Sequence, residues 1–192
     1  MALRKIITIE NSMVRQKAKK VTRFDATLKR LVEDMFDTLH AARGVGLAAP
    51  QIAVSLRVLV AEYEDQKEVL INPEIVKASG EEIGPEGCLS IPGYVGENIR
   101  RAAKVVVKGR DVNGKEIRVR AEGWFARILQ HEIDHLDGVL YIDRLDRPED
   151  FRKLRADEEE AGEVEPETPD ETDEQAQPIT ARAKENQASQ AS

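Results

Sequence analysis

An α+β domain is the fold class this sequence predicts, with antiparallel strands packed around a central helix, and three observations predict it. Apolar residues recur at helical spacing after Asp25 and again before Gly138; short β-rich runs fill the interval between; and Asn113-Gly114 stands between two of those runs. The order helix, strands, helix gives a mixed domain whose strands pair antiparallel.

Taken in order, Ile6-Ile7-Thr8-Ile9 is strand-like and too short for a secretory core. Asp25 can cap a helix whose apolar residues Leu28, Leu31, Val32, Met35 and Leu39 share one face, and Gly44 just past its last turn is a stop signal. Strands are expected over Arg57–Tyr63, over Glu68–Asn72 with Pro73 as its stop, over Glu74–Ala78, over Lys104–Gly109 and over Lys115–Ala121. Asn113-Gly114 reads as a hairpin turn, because both residues tolerate positive φ. A second helix is expected from about Glu122 to Leu136, with Gly138 beyond it. Its Trp124, Ile128, His131 and His135 fall at i, i+4, i+7 and i+11, one continuous stripe.

The chain has 192 residues, enough for one domain and a tail, and 41% of them are hydrophobic and 34% charged. The net charge of −7 is unevenly placed: residues 157–192 hold twelve acids against Arg182 and Lys184, a net of −10, which leaves the first 156 residues at +3. That segment has no aromatic residue and contains Pro166, Pro169 and Pro178. It cannot bury enough apolar area to offset its ordering entropy, so a disordered acidic tail is expected after a folded domain of residues 1–156. No run approaches the roughly 18 apolar residues of a membrane span, and a cytoplasmic protein is expected. A single cysteine, Cys88, excludes an internal disulfide and leaves it as buried filler, nucleophile or metal ligand.

Two of only three histidines stand in His131-Glu132-Ile133-Asp134-His135, a pattern that random placement would give in about one of three hundred chains of this composition. On a helix, positions i and i+4 lie one turn apart, so both imidazoles can reach one metal while Glu132 stands where a base for an attacking water is needed. Two histidines leave a catalytic site one protein ligand short. Acids from Asp143 onward could supply the third, as in a zinc endopeptidase; Cys88, in the turn-rich run Glu86-Gly87-Cys88-Leu89-Ser90, is the more economical donor. A third stretch, Gly44-Val45-Gly46-Leu47-Ala48-Ala49-Pro50-Gln51, imitates a dinucleotide loop, yet a helix precedes it and a proline interrupts it. Its small residues suit an extended peptide laid against the main chain.

Together the three stretches resemble the peptide deformylase family, which carries a G-φ-G-φ-A-A-x-Q loop, an E-G-C-φ-S loop and an H-E-φ-D-H helix in this order, with φ apolar. The resemblance covers about residues 3 to 147. It implies a metal-dependent hydrolase that removes formyl from the N-terminal formylmethionine of nascent proteins, with Cys88, His131 and His135 holding the metal and Glu132 as general acid and base. It also implies that the Gln51 side chain and Leu89 N–H face the oxyanion. Gly44, Val45, Gly46 and Gly87 then lie along the substrate backbone, and Trp124, Arg127 and Ile128 wall the methionine pocket. Arg127 is unusual on such a wall, and its stem is expected to pack while its head reaches water. Cys/His2 ligation accepts iron(II), zinc, nickel or cobalt, and the family commonly uses iron(II) in the cell. Members often have an arginine shortly after the cysteine loop, but the run here is Ile91-Pro92-Gly93-Tyr94-Val95-Gly96. The implied partners are formylmethionyl peptides and, transiently, the ribosome through a basic helix opened by Pro148 and running through Arg152, Lys153 and Arg155. No membrane and no specific nucleic acid are implied.

Overall fold

A computed structural model describes residues 2–155 and residue 158. The tail whose disorder the composition predicts therefore lies, except for Glu158, outside the described residues.

Helix α1 (Ala26–Ala41) begins where expected, with the Asp25 carboxylate accepting the N–H groups of Thr27 and Leu28 at 3.0 and 3.2 Å. Strands β1 (Gly46–Ala48), β2 (Val58–Tyr63), β3 (Gln66–Ser79), β4 (Glu82–Gly87), β5 (Tyr94–Arg101), β6 (Lys104–Arg110) and β7 (Glu116–Glu122) follow, then helix α2 (Gly123–Asp137) and a short β8 (Phe151–Lys153). All strand pairings are antiparallel, in two sheets ordered β1-β2-β3-β6-β7 and β4-β5-β8.

The alternation along β2 explains the layering. Leu59 and Ala61 pack with Phe125, Ala126, Leu129 and Ile133 of α2, while Val58 and Val60 pack with Leu31, Met35 and Leu39 of α1. The sheet is thus covered on both faces at β2, which reads as a continuous apolar run, whereas β7 alternates buried and exposed residues and leaves one face open. A third cluster of Val14, Ile91, Ile99, Leu140 and Tyr141 fills the space beside β5. Helix α2 ends on Gly138 at φ 75, where an added Cβ would meet the Arg15 carbonyl carbon at 2.7 Å.

Four expectations are corrected. Pro73 does not end a strand: β3 runs through it, and the missing donor is absorbed by a register shift between Ile71↔Arg110 and Glu74↔Lys108, with Asn72 at φ 53. The β6–β7 connection is wider than a two-residue turn. Asp111 closes it by accepting N–H bonds from Asn113 and Lys115 at 2.9 Å, and of the pair Asn113-Gly114 only Gly114 takes positive φ. Residues 6–9 form no strand, yet the N–H groups of Ile7 and Ile9 bond to the carbonyls of Gln51 and Ser90. After Pro148 the chain makes one 3-10 turn, Pro148–Asp150, and then enters β8 in place of a basic helix. There Arg152 pairs with Glu97 and Glu158 and Arg155 with Glu158, so acids already neutralise the basic run.

Candidate active site

Three segments distant in sequence converge on one cleft. The start of β1 with the residue before it and the 3-10 turn Ala49–Ile52 give Val45, Gly46 and Gln51; the end of β4 and its following loop give Glu86, Gly87, Cys88 and Leu89; α2 gives Trp124, Arg127, Ile128, His131 and Glu132. Gly44 lies outside the cleft lining, its N–H bonded to Leu39 O as α1 closes.

Cys88, His131 and His135 present ligand atoms that all lie within 4.8 Å of one another. The Cys88 Sγ to His135 Nε2 separation is 3.2 Å. A tetrahedral ion with bonds of about 2.3 Å to sulfur and 2.0–2.1 Å to nitrogen would set about 3.5 Å between such donors, so the residues present fit a metal. His131 is oriented from behind, because its Nδ1 lies 2.8 Å from Glu86 Oε2 and its Nε2 is left toward the other ligands. His135 is only 1% exposed, and its Nδ1 has no hydrogen-bond partner among the described residues. Burial disfavours charge on both rings. On His135 burial prevails, and with the neighbouring His131 it pushes the pKa well down, which keeps the ring neutral as a ligand must be. On His131 burial is outweighed by Cys88 and Glu86, and the pKa rises.

Glu86 anchors this arrangement. Its Oε1 accepts Arg101 Nε at 2.7 Å and Arg127 Nη1 at 2.9 Å, and its Oε2 accepts Arg101 Nη2 at 2.8 Å beside His131. Burial would raise its pKa, but Arg101 and His131 hold the carboxyl well below the usual range. Arg101 also reaches Asp134, which Arg144 clasps from the surface. No arginine follows the cysteine loop directly, and the two that bond Glu86 come from β5 and α2. The expectation for Arg127 is therefore corrected: it lines the cleft, but at 2% exposure its head never reaches water, because an acid and three carbonyls hold it inside.

Gln51 is held by its Oε1, which accepts Ala48 N–H at 2.8 Å, while its Nε2 lies 3.6 Å from Cys88 Sγ. Glu132 is 4% exposed and packs against Gly46, where an added Cβ would approach its Cγ and Cδ to 2.9 Å. Gly46 has an ordinary φ, so its role is clearance. Gly46→Ala should fold normally, displace the Glu132 side chain and lower turnover by about 10²-fold, since a displacement near 1 Å has that cost. Steady-state kinetics with a melting curve checks it. Reading the sequence missed Arg101, Ser90, whose Oγ lies 3.4 Å from Gln51 Nε2, and Tyr141, which stacks on His131 at 6.2 Å. Ser90 stands in the cysteine motif but was given no role there, while Arg101 and Tyr141 carry no local signal because each acts across the fold.

Asp143, the downstream alternative for a ligand, pairs with Arg15 and accepts Leu140 N–H at 2.8 Å, apart from the ligand group.

The sequence profile of the polypeptide deformylase family matches residues 3–151. A peptide deformylase from Thermomicrobium roseum is 46% identical over 173 residues, covering 85% of this chain and 98% of its own. One from Dehalococcoides mccartyi is 47% identical over 166 residues, covering 85% and 99%. Among solved structures, the peptide deformylase of Legionella pneumophila superimposes with a TM-score of 0.74 at 47% identity, over 78% of this chain and 89% of that one. That of Thermotoga maritima gives 0.74 at 39% identity, over 77% and 100%.

Proposed function

The chain belongs to the polypeptide deformylase family, and from that premise we infer that Glu132 is the residue that moves the proton in hydrolysis of the formyl amide. The protein is a metal-dependent hydrolase that takes the formyl group from N-terminal formylmethionine. The observation that carries the residue roles is the convergence of Cys88, His131, His135, Glu132 and Gln51 in one cleft.

In this reading Cys88 Sγ and the two imidazoles hold one divalent ion, which when bound supplies Lewis acidity and brings the pKa of water toward neutrality. The Glu132 carboxylate takes the proton of the attacking water as its oxygen meets the formyl carbon. Negative charge then grows on the formyl oxygen, where the Gln51 Nε2 and Leu89 N–H donors stabilise it by about 3–4 kcal/mol each. Glu132 returns the proton to the leaving amine, and formate and a free N-terminal methionine depart. Val45, Gly46 and Gly87 lie along the substrate backbone, with Gly44 at the margin of that track. Trp124, Ile128 and the stem of Arg127 wall the pocket for the methionine side chain.

A pocket of this kind discriminates by about 1–3 kcal/mol per methylene, so kcat/KM for formyl-Met peptides should exceed that for formyl-Ala peptides at least about tenfold. Formate release measured for the two series tests it, and equal rates would remove Val45 and Ile128 from the reading. Iron(II) is the ion we assign in the cell, with zinc, nickel and cobalt also fitting the donor set. Metal analysis of anaerobically purified protein decides between them. No helix of the described residues is long and apolar enough to cross a membrane; the cytoplasm, where nascent chains are made, is the location we assign.

A transient ribosome contact belongs to the same reading. The acids from Asp157 onward repel RNA over about 8 Å in physiological salt, so they weaken that contact and take no part in the chemistry. A chain ending at Ala156 should hydrolyse small formyl peptides as fast as the full chain and bind ribosomes at least as tightly at low salt. Loss of peptide turnover would make the tail part of the folded enzyme. Weaker ribosome binding would make it a docking arm.

A further inference from the structure

We propose that Arg127 is a positioning residue, whose guanidinium locks the irregular pairing of β4 and β5 and thereby fixes Glu86 behind His131. The proposal rests on Cys88, His131 and His135 being the metal ligands.

The β4–β5 ladder breaks its register at one place. From Gly84↔Ile99 to Glu86↔Gly96, two residues of β4 step against three of β5, with Asn98 at φ 55 on the longer side. Pro85, in the gap, has no N–H to give. Such an irregularity re-aims side chains, and here the residue just after it is Glu86, turned inward at 3% exposure. The carbonyls around it are taken from the opposite side by Arg127. Nη1 donates to Ile99 O at 3.1 Å and to Gly84 O at 3.5 Å, and Nη2 donates to Glu82 O at 3.1 Å. The same Nη1 donates to Glu86 Oε1 at 2.9 Å. One planar fork therefore ties both strands and the carboxylate to α2, one turn before His131.

An apolar side chain would fill this interior position without taking a guanidinium out of water, as its neighbours Phe125, Ile128 and Leu129 do. Lysine could carry the charge but cannot serve a carboxylate and carbonyls on two strands from one rigid plane. What the arginine adds is a fixed direction for Glu86. Its other oxygen then holds His131 Nδ1, so the imidazole presents Nε2 in one orientation.

The full-length chain loaded with cobalt(II) tests this. Arg127→Leu should release cobalt to a competing chelator at least about tenfold faster than the parent, the usual cost of losing an outer support of a metal ligand. It should also shift the cobalt absorption bands, which report ligand geometry. Arg127→Lys should fall between the two. Leu129→Ala, a core truncation on the same helix, should leave the bands and the release rate unchanged, so lost stability alone does not imitate the effect. Parental bands and release within twofold in Arg127→Leu overturn the proposal. If that variant does not fold, parental behaviour in Arg127→Lys overturns it equally. Cys88→Ala run alongside separates the two readings: if it keeps cobalt as the parent does, the ligand assignment fails first.

Discussion

Glu132→Gln folds, keeps its metal and loses turnover by about 10²–10⁴-fold, the range expected when a positioned proton acceptor is removed. The side chain sits next to His131 on α2, is 4% exposed and packs against Gly46. An amide has nearly the same shape and fills that space, so the melting temperature and metal content should match the parent. What the amide lacks is the ability to take a proton from water and return it to an amine. The defect should therefore fall on kcat with KM little changed, because the lost interaction belongs to the transition state. Full activity in a correctly folded variant removes Glu132 from the chemistry.

Cys88→Ala should lose its metal on dialysis and all measurable turnover with it, while Asp143→Ala keeps both. Removing a group that merely supports a ligand weakens metal binding by about 10–100-fold, and removing a ligand costs more. The thiolate also supplies the one negative charge among the three donors, so its loss leaves two neutral imidazoles. Asp143 bonds Leu140 N–H and pairs with Arg15, so its alanine variant should lose about 1 kcal/mol of stability and no activity. The reverse pattern, with metal lost only from Asp143→Ala, would favour a zinc endopeptidase site. Metal content per chain, measured beside hydrolysis of a formyl-Met peptide, distinguishes the two.

Much of the fold was legible where the signal is local. Asp25 and Gly138 delimit two helices by chemistry that acts within a few residues, and β2, β6 and β7 announce themselves by branched residues and alternation. β4 and β5 did not. Glu82-Ile83-Gly84-Pro85-Glu86-Gly87 has the composition of a turn, and it is a strand only because β5 lies beside it and Arg127 takes carbonyls at the gap. The site followed the same division. His131, Glu132 and His135 share one helical face and can be read together, whereas the buried ion network joins Glu86 to Arg101, Arg127 and His131 across 15, 41 and 45 residues. No window of sequence contains it. Pro73 misled for a related reason: its cost to a strand is real, and a register shift far from any motif absorbs it.

The hydrogen bonds from Ile7 and Ile9 to the carbonyls of Gln51 and Ser90 bear on when this enzyme can first work. A segment that precedes both loops is fastened to them, and they do nothing until α2, more than 110 residues further along the chain, has docked against them. A chain halted before Gly123 already contains Gln51 and Cys88 but neither imidazole of the ligand pair. Closing loops of that length makes assembly a slow, late step relative to helix formation. A chain that still lacks α2 therefore has neither the two imidazoles nor Glu132 of the proposed site, and cannot carry out the proposed hydrolysis.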